Sequence, residues 1–348
     1  MTCSFRTFAL FSALLLAAAP VIANAAERVR WAIPWKAGDL SVYDTESVVR
    51  EIDGGKSNVR RITDRTEIRT DTADKNGYVL TWVTRDSRIE AVEGDRSMVD
   101  TIAPMLDEFD GMEVVIELDR NGHYRRVRNL DALIAKVRAT MLPIFLASLP
   151  NMFKEADPKL SKTYSDREAA LQLARSSLEG SIDSIVTAQG VETMSNAQAK
   201  TMTTFTGKTI VMGKRYRDTE PMDSPSEGRP LPAMREYVLS LVEGDPNLAR
   251  IRWTQTLDGT GDPKTLWALV DELTGVEKQA GIRKARPSDL VLREEGMLLF
   301  HRDTGVIDML ETVEISRYGK MHDEHERYRM RRSGSTRTWA QEDAAAKP

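Results

Sequence analysis

The sequence predicts an α+β fold: a large, twisted, mostly antiparallel sheet forming a partial barrel, with a helical middle segment packed on it. Three observations carry this expectation. Residues 27–128 and 207–335 are rich in Val, Ile, Thr, Tyr and Trp, with partial apolar–polar alternation. Turn signals such as Asp74–Gly77 and Asp119–Gly122, both of the form Asp-x-Asn-Gly, punctuate those runs. Between the two β-rich parts, residues 129–206 carry apolar side chains at helical spacing. A single domain over residues 26–339 is expected, with a polar, Ala-rich and disordered tail at 340–348.

The N-terminus has a character of its own. Thr2–Arg6 carry one positive charge, Arg6, and Phe8–Ala19 are apolar. Pro20 and then Ala23-Asn24-Ala25 complete the layout of a secretory signal peptide, with cleavage expected after Ala25. The apolar run falls short of the roughly 20 residues that span a bilayer. Export to the periplasm or the exterior is expected, with no transmembrane segment after cleavage. Cys3 is the only cysteine and leaves with the signal, which removes disulfides, thiolate metal sites and cysteine nucleophiles from consideration. The chain has 49 Lys and Arg against 53 Asp and Glu, and loss of Arg6 leaves the mature part mildly negative. No basic field points to nucleic acid, and 41% hydrophobic residues fit a folded protein.

Strands are expected at Val29–Trp35, Ser47–Ile52, Val59–Ile68 and Tyr78–Thr84, followed by a short helix over Ser97–Glu108. Gly111–Leu118 and Tyr124–Val127 form a hairpin around Asp119–Gly122. Asn129 then caps a helix whose apolar residues include Leu130, Leu133, Ile134, Val137, Met141, Leu142 and Phe145. Pro143 is expected to kink or restart it. Ser165–Glu168 is a capping box for a helix ending near Ala188, with Gly190 as its stop. A short helical piece is expected over Asn196–Phe205. Strand texture returns at Thr209–Tyr216, followed by a Pro-rich loop over Asp218–Pro232. Met234–Val242 and Leu248–Leu257 pair, and Pro263–Val276 is a helix. Asp289–Arg293, Met297–Arg302, Val306–Arg317 and His325–Arg332 are the last strands.

Catalytic signatures do not emerge. The sequence has no Gly-x-Ser-x-Gly elbow, no phosphate-binding Gly-Lys loop and no dinucleotide fingerprint. His322-Asp-Glu-His325 is the one cluster of metal-like content, and on a strand its histidines point to opposite faces. It reads as a solvated charge run, and His123 as an exposed turn residue. The tryptophans sit in strand or helix patterns and read as packing residues. The basic stripe Arg327–Arg332 reads as a charged edge strand. No catalytic residue, metal ligand or cofactor is assigned.

The most suggestive internal feature is the helix from Leu130 to Phe153, apolar on all sides from Met141 to Leu149. Its commoner role is a central core helix. Its functional reading is a curved sheet wrapped around it, leaving a cavity for a lipid or acyl chain, with Leu133, Val137, Met141, Phe145 and Leu149 as the lining. The run Gly111–Leu130, with an echo at Gly296–Gly305, resembles a secreted bacterial β-rich family of unknown function, and more loosely the curved-sheet periplasmic carriers of lipids and lipoproteins. That resemblance implies a non-enzymatic envelope protein that binds an apolar or amphiphilic ligand. An envelope protein-interaction or assembly factor, and a hydrolase whose site assembles only in the fold, are the alternatives.

Overall fold

In the computed structural model the described residues are 27–53, 55–155, 186–222, 231–257, 290–318 and 322–346, together with 172, 175, 176, 180 and 182. The expected signal segment, the helix expected over Pro263–Val276 and most of the helix expected over Ser165–Ala188 lie outside them. The strands are β1 (Arg28–Arg30), β2 (Leu40–Asp53), β3 (Lys56–Asp74), β4 (Gly77–Glu93), β5 (Glu113–Asp119), β6 (Tyr124–Val127) and β7 (Thr209–Val211). They continue with β8 (Arg215–Thr219), β9 (Ala233–Val242), β10 (Asp245–Leu257), β11 (Leu290–His301), β12 (Ile307–Tyr318) and β13 (His322–Arg332). The helices are α1 (Ser97–Phe109), α2 (Leu130–Glu155), α3 (Ala188–Thr203) and α4 (Trp339–Ala346).

Eleven of these strands form one antiparallel sheet in the order β6-β5-β4-β3-β2-β13-β12-β11-β10-β9-β8, and β1 pairs with β7 beside it. The sheet is open, ending in the short strands β6 and β8. It consists of two meanders, β2–β6 and β8–β13, joined where β2 pairs with β13. Among the described residues no helix is long and apolar enough to cross a membrane.

Antiparallel alternation gives the sheet two different faces. One cross-strand row of the inner face runs Tyr216, Tyr237, Trp253, Gly296, Thr312, Tyr328, Ser47, Ile62. The main core lies on this face, with Ile68, Leu80, Ile116, Leu118, Leu239, Ile251, Leu298, Leu310 and Met330 all buried. Trp31, just after β1, and Ile210 of β7 cover one part of it, and Trp31 donates its indole N–H to the Gly305 carbonyl at 3.0 Å. Ala199 and Met202 of α3, with Phe205 just beyond, cover another. Phe205 sits 5.1 Å from Tyr237 and 5.3 Å from Trp253, ring to ring.

The outer face is laced with ion pairs. Arg61 reaches Glu46 and Glu90, Arg327 reaches Glu46, and Arg331 reaches Asp44. Arg85 pairs with Glu67, and Arg125 and Arg126 both pair with Glu117. Such exposed pairs contribute little each, but they suit a broad face that carries little apolar cover among the described residues.

Several local expectations are corrected. Residues 290–301 form one strand, not two. Gly296 does not break it, because the Trp253 ring lies on that glycine from the neighbouring strand and takes the place of a side chain; a Cβ there would lie 1.9 Å from Trp253 Cζ2. Gly190 is not a helix stop: Thr187 caps α3 by accepting from the Gly190 N–H at 3.0 Å, which puts that glycine in the first turn. α2 continues through Pro143, which is exposed and costs the helix one backbone hydrogen bond. Residues 340–346 of the tail expected to be disordered belong, with Trp339, to α4. Glu342 in that helix is buried and pairs with Arg250 and Arg337, and Trp339 packs on an outer-face apolar cluster of Val242, Leu248, Met297, Leu299 and Met309. At the expected hairpin Asp74–Gly77, the Asp74 carboxylate accepts from the Asn76 N–H at 2.7 Å, and Gly77 has a φ of +137° that a side chain rarely adopts.

A polar seam crosses the inner face. Asp64 accepts hydrogen bonds from the hydroxyls of Thr45 and Thr66, and no cation pairs with it among the described residues. Burial raises its pKa above the usual carboxylate value, with the two threonines offsetting part of the rise. Burial likewise raises Tyr43, to about 12.

Two outcomes follow from this packing. Gly296→Ala should destabilise the fold by about 1–3 kcal/mol through overpacking, and a smaller residue at 253 should relieve it; a Trp253→Leu/Gly296→Ala double-mutant cycle in urea unfolding would expose that coupling, and additive effects would argue against it. Asp64 has a raised folded pKa, so it binds more protons folded than unfolded, and its contribution to stability falls as pH rises through the carboxylate range. Asp64→Asn should therefore raise the melting temperature at pH 7 and lose that advantage below the unfolded pKa. An equal shift at both pH values would contradict this account.

Candidate functional site

The residues singled out by the sequence are carried by α2, and its start is fixed by a strand. Asn129 does not cap the helix with its side chain. Its Oδ1 accepts from the Val115 N–H at 2.9 Å and its Nδ2 donates to the Glu113 carbonyl at 2.8 Å, while its own carbonyl receives the Leu133 N–H at 3.1 Å. The β5 backbone thus anchors the first turn of α2. Lys136 reaches Glu108 of α1 at 3.3 Å.

α2 does not lie in the hollow of the sheet. It packs against α1 and α3 at the β6 end, and α3 takes the place on the apolar face that a wrapped α2 was expected to hold. Leu133 is fully buried there, in a second apolar cluster with Val127, Ile182, Val186 and Val191. Val137, Met141 and Phe145 join that cluster half-buried, as do Ile134 and Leu142 of the same helix and Met112, Val114 and Tyr124 of the sheet end. Leu149 lies within the helical backbone, and its side chain is outside the described set. The structure thus brings four of the five residues into one apolar region, set apart from the main core.

One side of this region is polar. Tyr124 donates its hydroxyl to Glu192 Oε1 at 2.5 Å, and the Lys200 ammonium lies 5.7 Å from the Tyr124 ring centre. Burial, and then the hydrogen bond to Glu192, push the Tyr124 pKa well above the ordinary tyrosine value. Asn196 lies beside Tyr124 and is buried, and its Oδ1 has no hydrogen-bond partner among the described residues. A buried acceptor without a partner costs about 1–3 kcal/mol. Nothing in the sequence marks Tyr124, Glu192 and Asn196 as a group; they come from β6 and α3 and meet only when those elements pack.

The other candidates are spread out. His325 bonds Asp323 at 3.1 Å on β13, and His123 lies 3.5 Å from Asp119 in its exposed turn. His301 lies 3.9 Å from buried Asp308. Among the described residues no three His, Asp or Glu side chains gather in a metal-binding arrangement. Trp31, Trp82 and Trp253 are core residues.

No family model matches the chain, and no curated protein matches it. Among solved structures it is similar to a lipovitellin, from work on lipid–protein interactions in that protein, with a TM-score of 0.42 and 8% identity. The match covers 86% of this chain and 25% of the other, so this chain spans about a quarter of that protein's length.

The two kinds of position along α2 should behave differently. Leu133→Ala should cost about 2–5 kcal/mol, because its site is closed on all sides. Met141→Ala, at a half-buried site, should cost clearly less. Urea denaturation of both variants would test the difference, and equal losses would place both residues in one closed core.

Proposed function

We propose that the chain is an exported, non-enzymatic protein that binds an apolar or amphiphilic ligand, such as a lipid or acyl chain, where α2 meets the β6 end of the sheet. The observation that carries this reading is the second apolar cluster. Val137, Met141 and Phe145 lie on a long apolar helix, half-buried and apart from the main core. The unpartnered Asn196 acceptor beside Tyr124 suits a ligand that offers one hydrogen-bond donor to an otherwise apolar lining. The N-terminal signal pattern supports delivery outside the cytoplasm.

The test uses protein recovered from the cell envelope or medium, with N-terminal sequencing to locate the mature start, expected at Ala26. Solvent extraction and mass spectrometry should then find a lipid or acyl ligand, and Phe145→Glu should reduce its recovery several-fold while the chain stays folded. Absence of any co-purifying lipid, together with no uptake of a fluorescent acyl probe, would overturn the reading. A stable envelope protein recovered by cross-linking in its place would favour the assembly-factor alternative.

A further inference from the structure

On the outer face, at the opposite end of the sheet from α2, lies a hollow of about 360 Å³ over β8 to β12. One cross-strand row of its lining is Arg215, Val238, Arg252, Met297, Glu311. The next is Glu236, Thr254, Glu295, Val313. Alternation turns the side chains of Tyr237 and Trp253 to the inner face, so only their backbone borders this space.

The charges of the hollow are unequally satisfied. Each glutamate has an arginine: Glu236 pairs with Arg217 at 3.6 Å, Glu295 with Arg293 at 2.7 Å, and Glu311 with Arg329 at 2.8 Å. Arg250, next to Arg252 on the same face of β10, is used by Glu342 of α4. Arg252 and Arg215 have neither an ion pair nor a side-chain hydrogen bond among the described residues. Arg252 is half-buried, and burial, followed by the charge of Arg250, disfavours its charged form, with Glu342 and Glu311 acting the other way. A guanidinium has five donors and no acceptor, and stays protonated in proteins. A half-buried one without an acceptor is held at a cost that an incoming anion removes.

The spacing suits a doubly charged group. Arg215 and Arg252 flank Val238 on adjacent strands, which puts their backbones about 10 Å apart. Both side chains are long enough to converge above Val238. Thr254 adds a hydroxyl, and Val238, Met297 and Val313 supply an apolar floor beside the charge.

We propose that this hollow is a phosphoryl-binding site, in which Arg252 grips the phosphate through its planar fork and Arg215 supplies the second positive charge. The phosphoryl group belongs either to free phosphate or to the head of a phosphorylated amphiphile whose chain lies along Val238, Met297 and Val313. The site is independent of the α2 region, and its test stands or falls apart from that reading.

The experiment is calorimetric titration of the full mature chain, in low-salt buffer, with inorganic phosphate and separately with octyl phosphate. Saturable binding of at least one probe is expected, with a loss of ten-fold or more in Arg252→Met. That variant should melt no lower than the parent, because an unpaired half-buried charge is removed. Octyl phosphate binding ten-fold or more tighter than phosphate would support the site and identify an amphiphile head group; equal affinities would support it and identify free phosphate. If Arg252→Met does not fold, Arg252→Lys takes its place: it keeps the charge, loses the fork, and should bind several-fold more weakly. No saturable binding of either probe, or unchanged binding in the folded variant, would overturn the proposal.

Discussion

The pairing of β2 with β13 is the constraint on which the rest of the structure depends. It runs from Glu51–Glu324 to Tyr43–Arg332 and joins strands that lie almost at opposite ends of the chain. Each meander alone exposes one apolar face; the seam makes the two faces continuous. Its register sets Ser47 opposite Tyr328 and Thr45 opposite Met330, on the same side as the cores of both meanders. A slip of one residue would turn Tyr328 and Met330 into water and bring Arg327 and Arg329 inward. The charged partners of the outer face, such as Arg327 with Glu46 and Arg331 with Asp44, bridge this same seam and agree only with the observed register.

The two faces then divide the labour. Among the described residues the inner face takes most of the apolar cover: α3, Phe205, Ile210 of the small β1–β7 ribbon, and Trp31 just after β1. Among the described residues little is left to cover the outer face, where arginines pair with acids across strands. The exception is the strip beneath α4. There the Trp339 ring and the buried Glu342 sit over Met309, Leu299 and Arg250, and Arg329 bridges Glu311 to Asp343. A charge buried in that way is stable only with its partner in place, which is why a short, Ala-rich segment is held as a helix. The hollow of Arg252 opens where this cover stops.

Much of the fold was legible in the sequence. The period-two runs, the Asp-x-Asn-Gly hairpins and the long apolar helix all announce themselves locally, because backbone turn chemistry and side-chain periodicity are local properties. The misreadings share one cause. Gly296, Gly190 and Pro143 carry strong local signals for breaking an element, and each is overruled by a neighbour or by placement: the Trp253 ring, the Thr187 cap, and an exposed helix surface. The candidate site shows the same division. Leu133, Val137, Met141 and Phe145 were found from helical spacing, whereas Tyr124, Glu192 and Asn196 carry no sequence signal as a group. Their burial depends on how α3 meets β6.

The sequence by itself determined that this is an antiparallel, β-rich chain with apolar residues at helical spacing in its middle, and that its one cysteine, Cys3, lies in the N-terminal apolar stretch. Composition, period and turn residues are written residue by residue and need no partner. Only the tertiary structure decided which helix covers the sheet, where α2 docks, that the last residues fold back as α4, and which arginines are left without acids. Those outcomes turn on strand order and register across nearly 300 residues of separation. The 34 arginines look alike in sequence; the fold gives Arg250 an ion pair with Glu342 of α4 and leaves Arg252 without one among the described residues.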